Sequence, residues 1–301
     1  MYIRGLVNKI ITGNINIKNY LSKLWYIVTF SRASKIGFTL LGAITIMAVF
    51  ADFIAPYNPY ERVAPSFQPP SLQHLLGTND LGQDILSGLI YGARISLLIG
   101  FVAALIGTLI GSSMGIVAGY YSGIVDEILM RITDIWLSMP TLLFTIFLAA
   151  ILVKTRLPMV LSVILAISLT SWPSVARLVR SKVLSIKALP YVEAARAIGA
   201  SDLYIMTRQI LPNVSPIIAI EVVMRTAIAM IAEASLSFLG LGDPTVKSWG
   251  MIIHYAMKRN AIILGYWWWF IPPGIMISLT VLALFLISIG LEEYLNPKLR
   301  R

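Results

Sequence analysis

The sequence contains no cysteine, only two histidines and few charged residues. Without cysteine the chain has neither a disulfide framework nor a thiolate metal site. Charged residues make up 13% of the 301 positions, about half of their usual share in a soluble domain. Hydrophobic residues make up 57%, and the mean hydropathy is +0.81. This composition is typical of an integral membrane protein, and we predict an all-α one.

Motifs of nucleotide and catalytic chemistry are missing as well. No segment has the phosphate-binding spacing G-x-x-x-x-G-K-[ST], and the metal-binding motif H-E-x-x-H does not occur. The two histidines, His74 and His254, lie in different predicted loops, where His254 is interpreted as an ordinary surface residue. A membrane enzyme is therefore disfavoured, because neither a nucleophile with its base nor a metal cluster is present.

Long apolar runs predict six transmembrane helices, since about 20 apolar residues are needed to cross a bilayer. The predicted spans are residues 36–55, 95–121, 135–153, 158–175, 215–238 and 266–291. Residues 119–131 are expected to form a short turn, and residues 239–265 an outer loop. Three tryptophans, Trp267, Trp268 and Trp269, open the last span as an aromatic anchor at the membrane interface.

The distribution of basic residues predicts the orientation. Residues 1–35 hold six Lys and Arg and no acidic residue, which indicates a basic interfacial segment. A secretory signal is the alternative, but the apolar run that follows is too long for one. Sixteen Lys and Arg fall on the side of the termini and seven on the other side. We therefore expect both termini to be cytoplasmic, in the cell membrane.

A polar island, residues 189–212, interrupts the apolar runs at the end of a basic loop, residues 177–212. Pro190 suits the first position of a helix, Glu193 its first turn, and Gly199 the left-handed conformation that ends a helix. These signals predict a helix over residues 190–198, about 13 Å long, which is too short to span a bilayer but suits a groove on a partner. Ser201 can cap a second helix, which we expect to stop by Pro212.

The island resembles the cytoplasmic coupling loop of membrane subunits of binding-protein-dependent ABC importers. The residues at the family spacing are Glu193, Ala194, Ala195, Gly199, Leu211 and Pro212. Gln209 departs from the usual isoleucine, although polar residues are common there in peptide-type members. Residues 74–100 and 233–250 are also similar to dipeptide- and oligopeptide-type permeases, with Gln83 in place of the usual arginine. The alternative is an ordinary amphipathic surface helix.

The resemblance implies a type I ABC importer transmembrane domain, a transport subunit without an ATPase site of its own. Its implied partners are a homologous second permease subunit, two ATP-binding subunits that bind ATP and Mg²⁺, and an extracytoplasmic solute-binding protein. No cofactor in this subunit and no nucleic acid are expected. The chain would comprise the N-terminal segment 1–35, a first helix and extracytoplasmic loop 36–91, and a core 92–301 that contains the coupling loop.

Three charged residues, Glu221, Arg225 and Glu233, lie within the predicted fifth span, where charge is costly. Glu221 and Arg225 are four residues apart and can pair on one helix face. The three residues either line a translocation path or have a structural role, and the sequence leaves both open. They would also suit a stand-alone secondary transporter, which leaves the short polar helix unexplained. Di- and oligopeptides are the expected cargo, with nickel and oligosaccharides as alternatives.

Overall fold

The computed structural model describes residues 30–295, so most of the predicted basic segment 1–35 and the basic C terminus lie outside the described residues. Within that range all regular elements are helical, apart from one isolated bridge between Thr78 and Asp84, which confirms the all-α prediction. The helices are α1 (Arg32–Val49), α2 (Ala51–Ile54), α3 (Ile85–Tyr121), α4 (Gly123–Ser138), α5 (Thr141–Val153), α6 (Met159–Lys187), α7 (Pro190–Ala197), α8 (Asp202–Tyr204), α9 (Leu211–Phe238), α10 (Trp249–Lys258) and α11 (Trp267–Leu295).

Five helical runs in the described range are long and apolar enough to cross a membrane. They are α1, α3, α6, the run Asp202–Phe238 that ends with α9, and α11. A sixth crossing results if α4 and α5, which meet at an angle of 91°, are counted as one broken span. The predicted number of six is reached in that case.

Two helices, α3 and α6, extend at least ten residues beyond the spans predicted for them. α3 begins at Ile85 rather than at residue 95, because Asp84 caps it by accepting hydrogen bonds from Ser87 N and Ser87 Oγ, both at 2.8 Å. α6 does not end at residue 175 but continues to Lys187 with Pro173 in its interior. The first eleven residues of the predicted loop 177–212 are therefore helical.

The predicted third span, residues 135–153, is wrong in shape, and so is the turn predicted for residues 119–131. Residues 123–138 form α4, which stops before Met139, and α5 starts beyond Pro140. Met139 adopts an extended conformation, as expected for a residue that precedes proline. Two ion pairs, Asp126 with Arg180 and Asp134 with Arg177, join α4 to α6.

Glycines at every fourth position line the contact between α3 and α6. The glycine stripe consists of Gly107, Gly111, Gly115 and Gly119, which share one face of α3. A Cβ atom added to Gly111 would lie 2.4 Å from the carbonyl oxygen of Trp172, closer than real Cβ contacts. The two backbones thus approach directly, as in membrane helix pairs with small residues at the interface.

The end of the bundle opposite α7 is covered by the segments before α3 and around α10. The predicted outer loop 239–265 is not wholly irregular, because it contains α10 with Ser248 as its N-cap. Trp249 is fully buried and donates from Nε1 to the carbonyl of Leu89 at 2.9 Å. Lys247 Nζ donates to Gln83 Oε1 at 2.7 Å, and burial lowers the pKa of Lys247 below its usual value although Asp80 opposes this. Gln83, which departs from the family pattern, therefore makes a structural contact with Lys247.

Candidate functional site

The short polar helix forms where it was predicted, as α7, Pro190–Ala197, about 12 Å long. Pro190 occupies its first turn, and Glu193 lies near the positive end of the helix dipole. Gly199 has a φ of +80°, and Ala200 N donates to Ala195 O at 3.1 Å. With Gly199 N bonded to Arg196 O at 3.0 Å, this is a Schellman termination. The predicted helix and its left-handed stop are confirmed.

The residues of the Glu-Ala-Ala triplet face two ways. Glu193 and Ala194 are exposed, whereas Ala195 and the preceding Val192 are buried. The buried pair packs in an apolar cluster with Tyr120 at the end of α3. One face of α7 is thus attached to the chain's own bundle, and the opposite face remains available to a partner.

Exposed apolar side chains surround α7. Ile198 is 85% exposed and Leu203 is 68% exposed, and both lie next to the Gly199 turn. Tyr191 and Tyr204 are also more than one-third exposed. We call these four residues the α7 patch. Large apolar side chains grouped on a surface are typical of a protein contact, because their exposure to water is unfavourable.

The sequence predicted that the second helix of the island stops by Pro212, and this prediction is wrong. Ser201 caps the three-residue α8, but the chain then continues through a π-helical turn, Ile205–Ile210, directly into α9. Pro212 lies in the first turn of α9, where a missing amide hydrogen is tolerated. Leu211 and Pro212 therefore mark the start of α9 within the longer helical run Asp202–Phe238. Turns of the π type are frequent at functional sites.

The three charged residues of the fifth span do not form one cluster, because Glu221 pairs with Arg225 and Glu233 has other partners. Arg225 Nε donates to Glu221 Oε2 at 3.0 Å, so the predicted pair is present, and both side chains are less than one-fifth exposed. Glu233 is 1% exposed and accepts a hydrogen bond from Ser237 Oγ at 2.7 Å. Hydroxyls of Ser96 on α3 and Ser248 before α10 also contact it. These contacts favour a structural role for Glu233, whereas a pathway role for the Glu221 pair stays a prediction.

The histidines have structural partners. His74 Nδ1 lies 3.0 Å from Asp84 Oδ1 in a buried contact, and His254 Nδ1 lies 2.8 Å from the carbonyl oxygen of Phe238. Across residues 30–295 no group of three His, Cys, Asp or Glu side chains could hold a metal ion.

Four residues that the sequence analysis did not select meet where α7 lies against the end of α3. The hydroxyl of the buried Tyr120 donates a hydrogen bond to Asp202, and the cations of Arg196 and Lys187 lie over its ring. An aromatic residue at the end of an apolar run was a visible signal for Tyr120. Its contact with Asp202, 82 positions further along the chain, was not visible in the sequence.

Two family models match the chain. Residues 107–301 match the model described as binding-protein-dependent transport system inner membrane component. Residues 21–70 match the model described as the N-terminal TM domain of oligopeptide transport permease C. The predicted division of the chain at residues 35 and 91 stays a prediction.

Relatives match over nearly the whole chain. The dipeptide transport system permease protein DppC of Bacillus subtilis is 36% identical, over 94% of this chain and 87% of that protein. A putative peptide transport system permease protein of Brucella suis is 39% identical, over 89% of each chain. The glutathione transport system permease protein GsiD of Escherichia coli is 40% identical, over 85% of this chain and 83% of that protein.

Proposed function

This chain belongs to the family of binding-protein-dependent transport system inner membrane components, and we propose that it forms half of the translocation pathway of a di- and oligopeptide importer. As a member it is a multi-pass permease subunit of an ABC transport system. The observation that carries the proposal is α7, a capped helix whose exposed face has no partner within residues 30–295.

The energy source follows from combining the α7 patch with the missing phosphate-binding loop. A chain without that loop requires a separate subunit to bind ATP and Mg²⁺. In our proposal one of two ATPase subunits docks on the α7 patch, with Glu193 at its edge, and the second docks on a homologous permease subunit. This chain itself then needs no cofactor. Its role is to convert the motion of the ATPase into a change of the pathway.

The cargo is proposed from the relatives. Two of them are named for dipeptide or peptide transport and one for glutathione, which is itself a small peptide. A solute-binding protein would deliver the peptide to the end of the bundle formed by residues 57–84 and α10. The permease needs only a passage of suitable width, so its residues do not identify the peptide.

Vesicles that contain the full complex are expected to accumulate labelled di- or oligopeptide only with ATP inside and the solute-binding protein outside. Uptake is measured as retained label, with a non-hydrolysable ATP analogue as the matched control. ATP-driven uptake of nickel or of an oligosaccharide, without uptake of peptide, would contradict the proposed peptide cargo but not the proposed ATP-driven importer. Uptake driven by a proton or sodium gradient without ATP would contradict the importer and support a secondary transporter.

We also propose that α7 and both termini are cytoplasmic, since basic residues are concentrated on that side. Because the natural chain has no cysteine, single cysteines can be labelled without background. Exposed positions at the two ends of the bundle are suitable, and cysteine replaces Leu72, Thr155 or Thr245 at one end and Ser185 or Ala197 at the other. An impermeant thiol reagent added outside sealed cells should label the first three and spare the last two. The reverse pattern would refute the orientation.

A further inference from the structure

The cytoplasmic end of α3 carries a buried tyrosine that contacts the coupling island. Tyr120 is 3% exposed, and its hydroxyl donates to Asp202 Oδ1 at 2.5 Å. Asp202 opens α8, directly after the Schellman turn that ends α7. Hydrogen bonds to an ionised carboxylate are roughly twice as strong as neutral ones. The island is therefore fastened to α3 by a directional contact as well as by apolar packing.

Two cations flank the same ring. The guanidinium carbon of Arg196 lies 5.6 Å from the ring centroid of Tyr120, and Lys187 Nζ lies 5.8 Å from it. Both distances fall within the range of cation–π contacts. Lys187 also donates to Ser122 Oγ at 3.0 Å, just beyond the end of α3. One phenol side chain thus joins α3, α6, α7 and α8.

α3 reaches the opposite end of the bundle as a single helix. Its 37 residues correspond to a length of about 55 Å. Near its other end, Ser96 Oγ accepts a hydrogen bond from Trp249 N at 3.1 Å, which connects α3 to α10. A displacement of the coupling island that is transferred to Tyr120 therefore acts on a helix that contacts both ends of the subunit.

We propose that Tyr120 and Asp202 are a positioning pair that transfers the displacement of α7 to α3, so that ATP hydrolysis is matched by transport. The pair does not contact ATP or cargo. This inference rests on the proposed docking of an ATPase at the α7 patch. Loss of the hydrogen bond leaves α7 able to dock, because the α7 patch is unchanged, but lets the island move without moving α3.

The test is the number of peptide molecules imported per ATP hydrolysed, measured on the full complex in vesicles. Tyr120→Phe and Asp202→Asn are each expected to lower this ratio about tenfold, the effect of losing a charge-assisted hydrogen bond. The double variant is expected to be no worse than either single one, because both remove the same contact. Tyr121→Phe is the matched control, since it removes a hydroxyl from the adjacent, half-exposed tyrosine and is expected to leave the ratio unchanged.

Three results would overturn the proposed role of Tyr120 and Asp202. They are a wild-type ratio in both single variants, a double variant whose loss is the product of the single losses, and a loss of ATPase subunits from the Tyr120→Phe or Asp202→Asn complex on purification. The third result would show that the contact serves assembly rather than transfer. Failure of the proposed function is distinguishable, because the wild-type complex would then show no ATP-dependent uptake at all.

Discussion

Replacing Gly199 with valine is expected to reduce ATP-driven uptake to background while the protein still inserts into the membrane. Gly199 has a φ of +80°, and a β-branched residue adopts that conformation only at a cost of about 1–2 kcal/mol or more. A Cβ atom there would contact nothing within 4 Å, so the effect comes from the backbone and not from a clash. The turn that fixes α7 relative to α8 would change, and the α7 patch would lose its shape.

Two further variants separate this effect from general damage. Gly199→Asn should retain much of the uptake, because asparagine tolerates the left-handed region better than other side chains. Gly265→Val introduces the same strain at the other end of the bundle, at a φ of +77° with equally open surroundings, and should preserve uptake per folded complex. Normal uptake by Gly199→Val in reconstituted vesicles would show that α7 does not couple ATP hydrolysis to transport.

The second large effect is expected at the glycine stripe, where Gly111→Leu should prevent accumulation of folded protein. The added side chain would meet the carbonyl of Trp172 and the side chain of Val175, and a backbone carbonyl cannot move aside as a flexible side chain can. Separation of α3 from α6 would also expose polar groups, and the cost should exceed the roughly 1–3 kcal/mol of ordinary overpacking.

The amount of monodisperse protein after detergent extraction, and its thermal unfolding midpoint, measure this effect. Gly42→Leu is the matched control, because Gly42 lies in α1 with no atom within 4 Å of an added Cβ. It should be extracted in wild-type amounts. A Gly111→Leu protein with an unchanged midpoint would mean that α3 and α6 can separate at little cost.

Local signals explain what the sequence predicted well. α7 is bounded by Pro190 at its start and Gly199 after its end, and each residue acts through its own backbone conformation. The pairing of Glu221 with Arg225 is equally local, since four positions on a helix bring two side chains together. Features of this kind need no knowledge of the remaining fold.

The predictions failed where distant contacts decide the structure. α4 was taken for a turn because it carries Asp126 and Glu127 in a short polar stretch, yet Asp126 pairs with Arg180 on α6. The π-helical turn before Leu211 lets the chain pass Pro212 without a break, and periodicity alone does not reveal such a turn. From the sequence alone Glu233 was a charged residue within an apolar span. The structure places serine hydroxyls next to it, some of them from other elements.

The glycine stripe also has a mechanical consequence. At Gly111 and Gly115 the facing backbones of α3 and α6 approach without an intervening layer of flexible side chains, so little is left there that could slide or repack. We therefore expect α3 and α6 to move together as one rigid body. Any hinge in this subunit then has to lie elsewhere, and the 91° bend between α4 and α5, joined through Met139 and Pro140, is a joint of the required kind.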